Sequence, residues 1–169
     1  MPDLRAQLAD LLRGQVGFVG IGNVDCADDG FGVQLAEALL AKGVPNVFVA
    51  RSTPERWIGR IADEHFSTLL FLDAVDFGAD AGSLVLMKSA EIAERFPQIS
   101  THKISLGVLA RCAEANGDTR VWLLGAQPES VSFGKQLSPV LQTTISAVST
   151  LLGELACEGR ATASGGVGQ

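Results

Sequence analysis

The sequence predicts an α/β fold: a single-domain, three-layer α/β/α architecture around a mostly parallel, twisted sheet of about five strands. Three observations carry that prediction. Continuous apolar runs at 15–21, 68–72 and 120–124 read as strands buried on both faces. Amphipathic segments at helical spacing alternate with them, the pattern of a parallel sheet covered on both sides. With 169 residues, 47% hydrophobic and 19% charged, the chain suits one domain with a sizeable core and no need of staples.

In chain order, Leu4, Leu8, Leu11 and Leu12 recur at helical spacing and Gly14 stops the helix, giving an N-terminal helical extension over 1–14. An α/β domain follows over 15–157. In its first strand, Gly17 and Gly20 signal a neighbour packed closely on the backbone. The loop Gly22–Asp29 leads to a helix from about Gly30 to Lys42, with Phe31, Leu35, Ala38 and Leu39 on one face and Gly43 as its C-terminal stop. Val47–Ala50 is a short strand. Thr53 and Pro54 form an N-cap and first helical position for a helix to about Asp63. Thr68–Leu72 is a strand ending in Asp73, and Leu84–Met87 another. A short helix spans Ala90–Phe96, a loop Pro97–Thr101, and a further helix about Ile104 to Ala115, closed by Asn116-Gly117. Arg120–Leu124 is the next strand, and Pro139 opens a long helix to about Cys157. The Gly/Ala/Ser-rich tail 158–169 is expected to be disordered.

Charge narrows the partners. A net charge of −6 repels phosphate backbones and anionic membranes, so neither nucleic acid nor membrane is expected to bind. Tyr is absent, which removes a common base-stacking residue. Cys26, Cys112 and Cys157 are scattered without a Cys-x-x-Cys pair, and are expected as buried free thiols in a reducing compartment. No secretory leader and no apolar span of ~20 residues is expected, hence a soluble, cytoplasmic protein; a monomer is expected as well.

In open parallel sheets the ligand crevice lies at the carboxyl ends of the strands. Those ends carry Asp28 and Asp29, Asp73, and Gly125-Ala126-Gln127-Pro128. Gly20-Ile21-Gly22-Asn23 invites a dinucleotide reading, but the third glycine position is Asp25, and three carboxylates before the helix repel a pyrophosphate. Asp28 is the better N-cap, accepting backbone N–H bonds. Asp29 is freer to serve as a ligand. Asp73 ends a buried strand, where a carboxylate needs a partner; a cap on the next loop is the plainer role. Asp76 and Asp80 are expected in solvent. Of two histidines, His65 reads as an exposed helix-end residue, and His102 as either a polar cap or a ligand. Asp29, Asp73 and His102 together would suit a borderline divalent ion such as Zn²⁺ or Ni²⁺, with positions left open. Nucleophile readings fail: Ser52, Ser83 and Ser130 lack a nucleophile elbow, and carboxylates around Cys26 disfavour a thiolate.

Gly20-Ile-Gly-Asn23, four residues, then Asp28-Asp29-Gly30-Phe-Gly32 resembles the opening of the hydrogenase maturation proteases. The likeness continues through Leu72-Asp73-Ala74-Val75-Asp76-Phe77-Gly78, Gly82, Thr101-His102 and Leu124-Gly125-Ala126-Gln127-Pro128-Glu129, over about residues 16–155. It is nearest to the branch that matures the formate-hydrogenlyase hydrogenase. The resemblance implies an α/β endopeptidase that removes the C-terminal extension from a [NiFe]-hydrogenase large-subunit precursor after nickel insertion. It implies Asp29, Asp73 and His102 as metal-binding residues and nickel recognised within the substrate; for catalysis the ion could dock the precursor, polarise the scissile carbonyl or activate water, or Asp29 or Asp73 could be the catalytic general base. Zn²⁺ or Cd²⁺ would occupy the same site. Two departures stand out: Ala50-Arg51-Ser52-Thr53 replaces the usual Asp-Gly-Gly after the second strand, and Asp25 falls in a usually apolar segment. The first supports an alternative, a non-cleaving chaperone or checkpoint module that binds the metallated precursor.

Overall fold

The computed structural model describes residues 3–95 and 105–164. Five strands, β1 (Val16–Ile21), β2 (Val47–Arg51), β3 (Thr68–Ala74), β4 (Leu84–Lys88) and β5 (Arg120–Ala126), form one sheet in the order β2-β1-β3-β5-β4. All neighbours are parallel except β4, which runs antiparallel to β5 along the edge. The helices are α1 (Leu4–Leu11), α2 (Phe31–Ala41), α3 (Glu55–Asp63), α4 (Ser89–Arg95), α5 (Leu106–Glu114) and α6 (Pro139–Ser164).

Strand periodicity divides the core in two. Phe18, Leu70, Leu72 and Leu124 point to one face, where α1, α2 and α6 cover them with Leu8, Phe31, Leu35, Leu39, Leu141 and Leu152. Val19, Leu69, Phe71 and Leu123 point to the other, beneath Ile58 and Ile61 of α3, Ile92 of α4 and Leu109 of α5. The three-layer expectation holds. So does the close approach on β1: a methyl group at Gly17 would stand 2.8 Å from Leu69, and one at Gly20 would stand 2.5 Å from Ala36 of α2.

Four expectations are corrected. The Thr53 cap is displaced by one residue: Pro54 occupies the capping position of α3, without a side-chain cap bond. The long helix does not stop near Cys157. Residues 158–164 are helical where a disordered tail was expected, because α1 docks there: Arg5 pairs with Glu154 and Glu158 at 3.2 and 3.4 Å, and a methyl at Gly159 would stand 2.8 Å from the Leu12 carbonyl. Residues 165–169 lie outside the described residues. Cys112 and Cys157 are exposed and Cys26 is half-buried, so the thiols are not core groups; the core face of α5 is Leu106, Leu109, Ala110 and Ala113. Finally, Pro139–Thr162 of α6 is long and apolar enough, at mean hydropathy 1.3, to cross a bilayer by length and composition. Its inner face packs in the core through Leu141, Val148, Leu152 and Leu155, and its Thr143, Thr144, Ser149 and Thr150 hydroxyls bond carbonyls of their own helix. The expected loop at 97–101 and helix start at 104 lie outside the described residues.

Candidate functional site

The chain leaves β1 by α2 to reach β2 on one side, then crosses by α3 to β3 on the other. Crossovers departing in opposite directions leave a crevice beyond the carboxyl ends of β1 and β3, the switch point of the sheet. Asp29 and Asp73 both lie there. Asp29 belongs to a 3₁₀ turn, Ala27–Gly30, between β1 and α2, and Asp73 is the penultimate residue of β3.

Glycine lets the two approach. Gly22 follows β1 at φ +139°, a conformation rare for residues with a Cβ. A methyl group added there would stand 1.9 Å from the Asp29 carbonyl oxygen and 3.7 Å from Asp73 Oδ1. The bare backbone of Gly22 is thus flanked by both acidic residues. Gly32, in the first turn of α2, is tighter still: a methyl there would stand 1.9 Å from the Leu72 carbonyl and 2.4 Å from that of Ile21. The first turn of α2 consequently rests directly on the ends of β1 and β3, just behind Asp29.

Both carboxylates are buried, with Asp29 4% and Asp73 2% exposed. Asp29 Oδ2 accepts the Asn23 N–H at 2.9 Å, and Asp73 Oδ1 accepts the Ala74 N–H at 2.8 Å. Two carboxylates are hard oxygen donors; a borderline divalent ion such as Zn²⁺ or Ni²⁺ would call for an imidazole beside them. Asp29 and Asp73 both lie against Gly22, at the strand ends where the sequence reading looks for the crevice. His102 lies outside the described residues.

Asp28 has a different task from the one expected. It does not cap its own helix. Fully buried, its carboxylate reaches the segment after β5: Oδ1 accepts the Ser138 N–H at 2.7 Å, while Oδ2 accepts the Glu129 N–H at 2.8 Å, the Ser138 hydroxyl at 2.9 Å and the Ser130 N–H at 3.4 Å. Ser138 immediately precedes α6, and its hydroxyl in turn accepts the Leu141 N–H at 3.4 Å. One carboxylate thus fixes the 129–138 loop and the start of α6. Backbone bonds complete the seam: Asp28 N–H to Ser130, Ala27 N–H to Lys135, and Gly134 N–H to Asp25.

Gln127 was not singled out by its chemistry in the sequence. It is buried at the end of β5, where Oε1 accepts the Phe77 and Ala79 N–H groups at 2.9 and 3.2 Å and Nε2 donates to Asp76 Oδ1 at 3.0 Å. It holds the loop that follows Asp73. An amide after the last glycine of a strand was the available signal. Asp76 and Asp80 are exposed as expected, and so is His65, at the C-terminal end of α3 with φ +54°. Where the resemblance expected Asp-Gly-Gly, Arg51 takes φ +57°, its carbonyl accepts the Gly22 N–H at 3.0 Å, and its guanidinium meets Glu37 at 3.3 Å.

Comparison with known proteins gives a consistent result. Residues 34–154 match the family model HycI, hydrogenase maturation protease. The chain is 35% identical over 134 residues to the hydrogenase 3 maturation protease of Escherichia coli K12, covering 78% of this chain and 82% of that one. It is 31% identical to the hydrogenase expression/formation protein HupD of Rhodobacter capsulatus, over 73% of this chain and 62% of that protein. The crystal structure of a [NiFe] hydrogenase maturation protease, HycI from Thermococcus kodakarensis, superimposes with TM-score 0.79 at 26% identity, covering 89% of this chain and 98% of that one.

Proposed function

The chain belongs to the hydrogenase maturation protease family, and on that premise we propose that it cleaves the C-terminal extension from a [NiFe]-hydrogenase large-subunit precursor, using the crevice between β1 and β3. The observation that carries this reading is the burial of Asp29 and Asp73 on either side of Gly22. Asp29, Asp73 and His102 recognise nickel already held in the precursor. A three-donor set of this kind, with no thiolates, binds a free ion weakly and leaves positions open for groups the ion brings with it. Zn²⁺ or Cd²⁺ would occupy the same donors.

Hydrolysis requires water to attack the scissile carbonyl and a base to take its proton. Asp29 and Asp73 supply carboxylates for that transfer, which makes the chemistry of aspartic type. Docking on nickel sets the scissile bond beside them, and orientation of this kind is worth several orders of magnitude in rate. Metal is present in the precursor only after insertion, so recognition of nickel makes cleavage report that insertion is complete. The reading further implies a cytoplasmic monomer without nucleic-acid or membrane partners.

A second reading is favoured by Ala50-Arg51-Ser52-Thr53: a chaperone or checkpoint module that holds the metallated precursor without cutting it. One experiment separates them. The purified protein is incubated with nickel-loaded precursor and the products are weighed by mass spectrometry. Loss of the extension's mass supports the protease; a stable complex with intact precursor supports the chaperone.

A further inference from the structure

Five large apolar side chains are exposed among the described residues, and three of them lie on the two backbone-bonded segments on either side of the Asp29 turn: Val24 at 36%, Val131 at 46% and Phe133 at 81% exposed. The other two, Leu40 and Val108, lie on α2 and α5. Val24 rides over the turn that carries Asp29, since a methyl at Gly30 would stand 3.0 Å from its Cα. Val131 and Phe133 lie on the 129–138 loop. The Gly134 N–H bonds the Asp25 carbonyl at 2.7 Å, so the residues flanking that bond, Phe133 and Val24, come from adjoining segments.

Isolated exposed apolar residues are ordinary; a cluster beside a reactive crevice marks a contact surface. The loop that carries Val131 and Phe133 is tied down on both flanks. The four bonds to the Asp28 carboxylate and three backbone bonds hold it from both sides. An aromatic side chain on a loop already ordered loses little further freedom on binding, the condition under which a single residue dominates an interface.

We propose that Phe133, with Val131 and Val24, is the docking surface for the folded precursor, and that Phe133 seats in an apolar depression beside the precursor's metal site. This rests on the protease reading, and the argument for that occupant is continuity with the site. Asp29 is 4% exposed at the foot of the same loops. A protein that delivers a metal to that carboxylate must press against the segments that surround it. Phe133 touches no reacting group; it positions the substrate.

The test uses the full chain with nickel-loaded precursor carrying its extension, following cleavage kinetics and, separately, binding to immobilised precursor. Phe133→Ser should raise KM about tenfold, equal to about 1.4 kcal/mol, with kcat and melting temperature unchanged. Leu40→Ser should match wild type. An unchanged KM and unchanged binding in Phe133→Ser would overturn the proposal. So would a dimer of this chain that dissociates in Phe133→Ser, measured by light scattering, since the surface would then serve a second copy. If wild type binds precursor without cutting it, the protease reading fails, yet loss of binding in Phe133→Ser still supports the docking surface. Wild type that neither binds nor cuts overturns both.

Discussion

Asp28 and Asp29 are adjacent acids whose replacement by the amide should have opposite consequences. Asp28→Asn removes the charge and one of two acceptors from a group with no exposed surface. The better orientation of the new amide keeps oxygen at the Oδ2 position, which serves three donors, and turns NH₂ toward the Ser138 N–H that Oδ1 held at 2.7 Å. A buried donor then faces a donor, at a cost of about 1–3 kcal/mol. The three surviving bonds fall from charge-assisted to neutral, each losing roughly 0.5 kcal/mol or more. Relief from burying a charge offsets part of this. The net is about 3 kcal/mol, and in a domain of this size a melting temperature lower by ~6–12 °C. Urea unfolding and calorimetry read the change directly. At a temperature where the variant remains folded, processing should continue at reduced rate, since only the loop is loosened. A variant that melts with wild type but has lost all processing would refute the anchor role and place Asp28 among the reacting groups.

Asp29→Asn should behave in reverse, with processing reduced ~10²-fold or more and a smaller change in melting temperature than Asp28→Asn; comparable melting losses in both would contradict the division of labour. His102→Ala should abolish processing while His65→Ala, at an exposed helix end, processes normally; equal loss from both, in the same precursor assay, would remove histidine as the discriminating group. Free Ni²⁺ should bind weakly by calorimetry, with affinity falling as pH drops through the ordinary histidine range near ~6.5. The sign follows from competition: on the proposed ligand set, binding needs a neutral imidazole, so the proton and the ion compete for His102. A pH-independent site, or one that survives His102→Ala, would mean that other groups hold the ion.

What the sequence reveals and what it conceals divide along range. The strands at 16–21 and 68–74 were legible because burial on both faces leaves an unbroken apolar run, and strand ends placed Asp29 and Asp73 in one crevice without any contact information. Asp28 was legible as a hydrogen-bond acceptor but not by partner, because its donors lie 101 to 110 residues away and leave no periodic trace. Gln127 was hidden for the same reason, its N–H partners lying 48 to 50 residues back. The helical stretch beyond Cys157 was concealed by composition: Gly159 and the alanines around it read as tail, whereas small residues there let α1 lie close. Local propensity is outvoted when a neighbouring element needs the space.

The glycine at the start of α2 has a consequence for how such a protein could diversify. A helix whose backbone lies against two strand carbonyls has no side chain left to trim or enlarge as a shim. The spacing of the two acidic residues is consequently set by main-chain van der Waals radii, a gauge that substitution elsewhere on α2 cannot regrade. If the two acids receive the precursor's metal as proposed above, precursors whose metal sites are alike would all fit that gauge equally. Discrimination among them would then fall to the surrounding loops, whose side chains can vary while the gauge stays fixed.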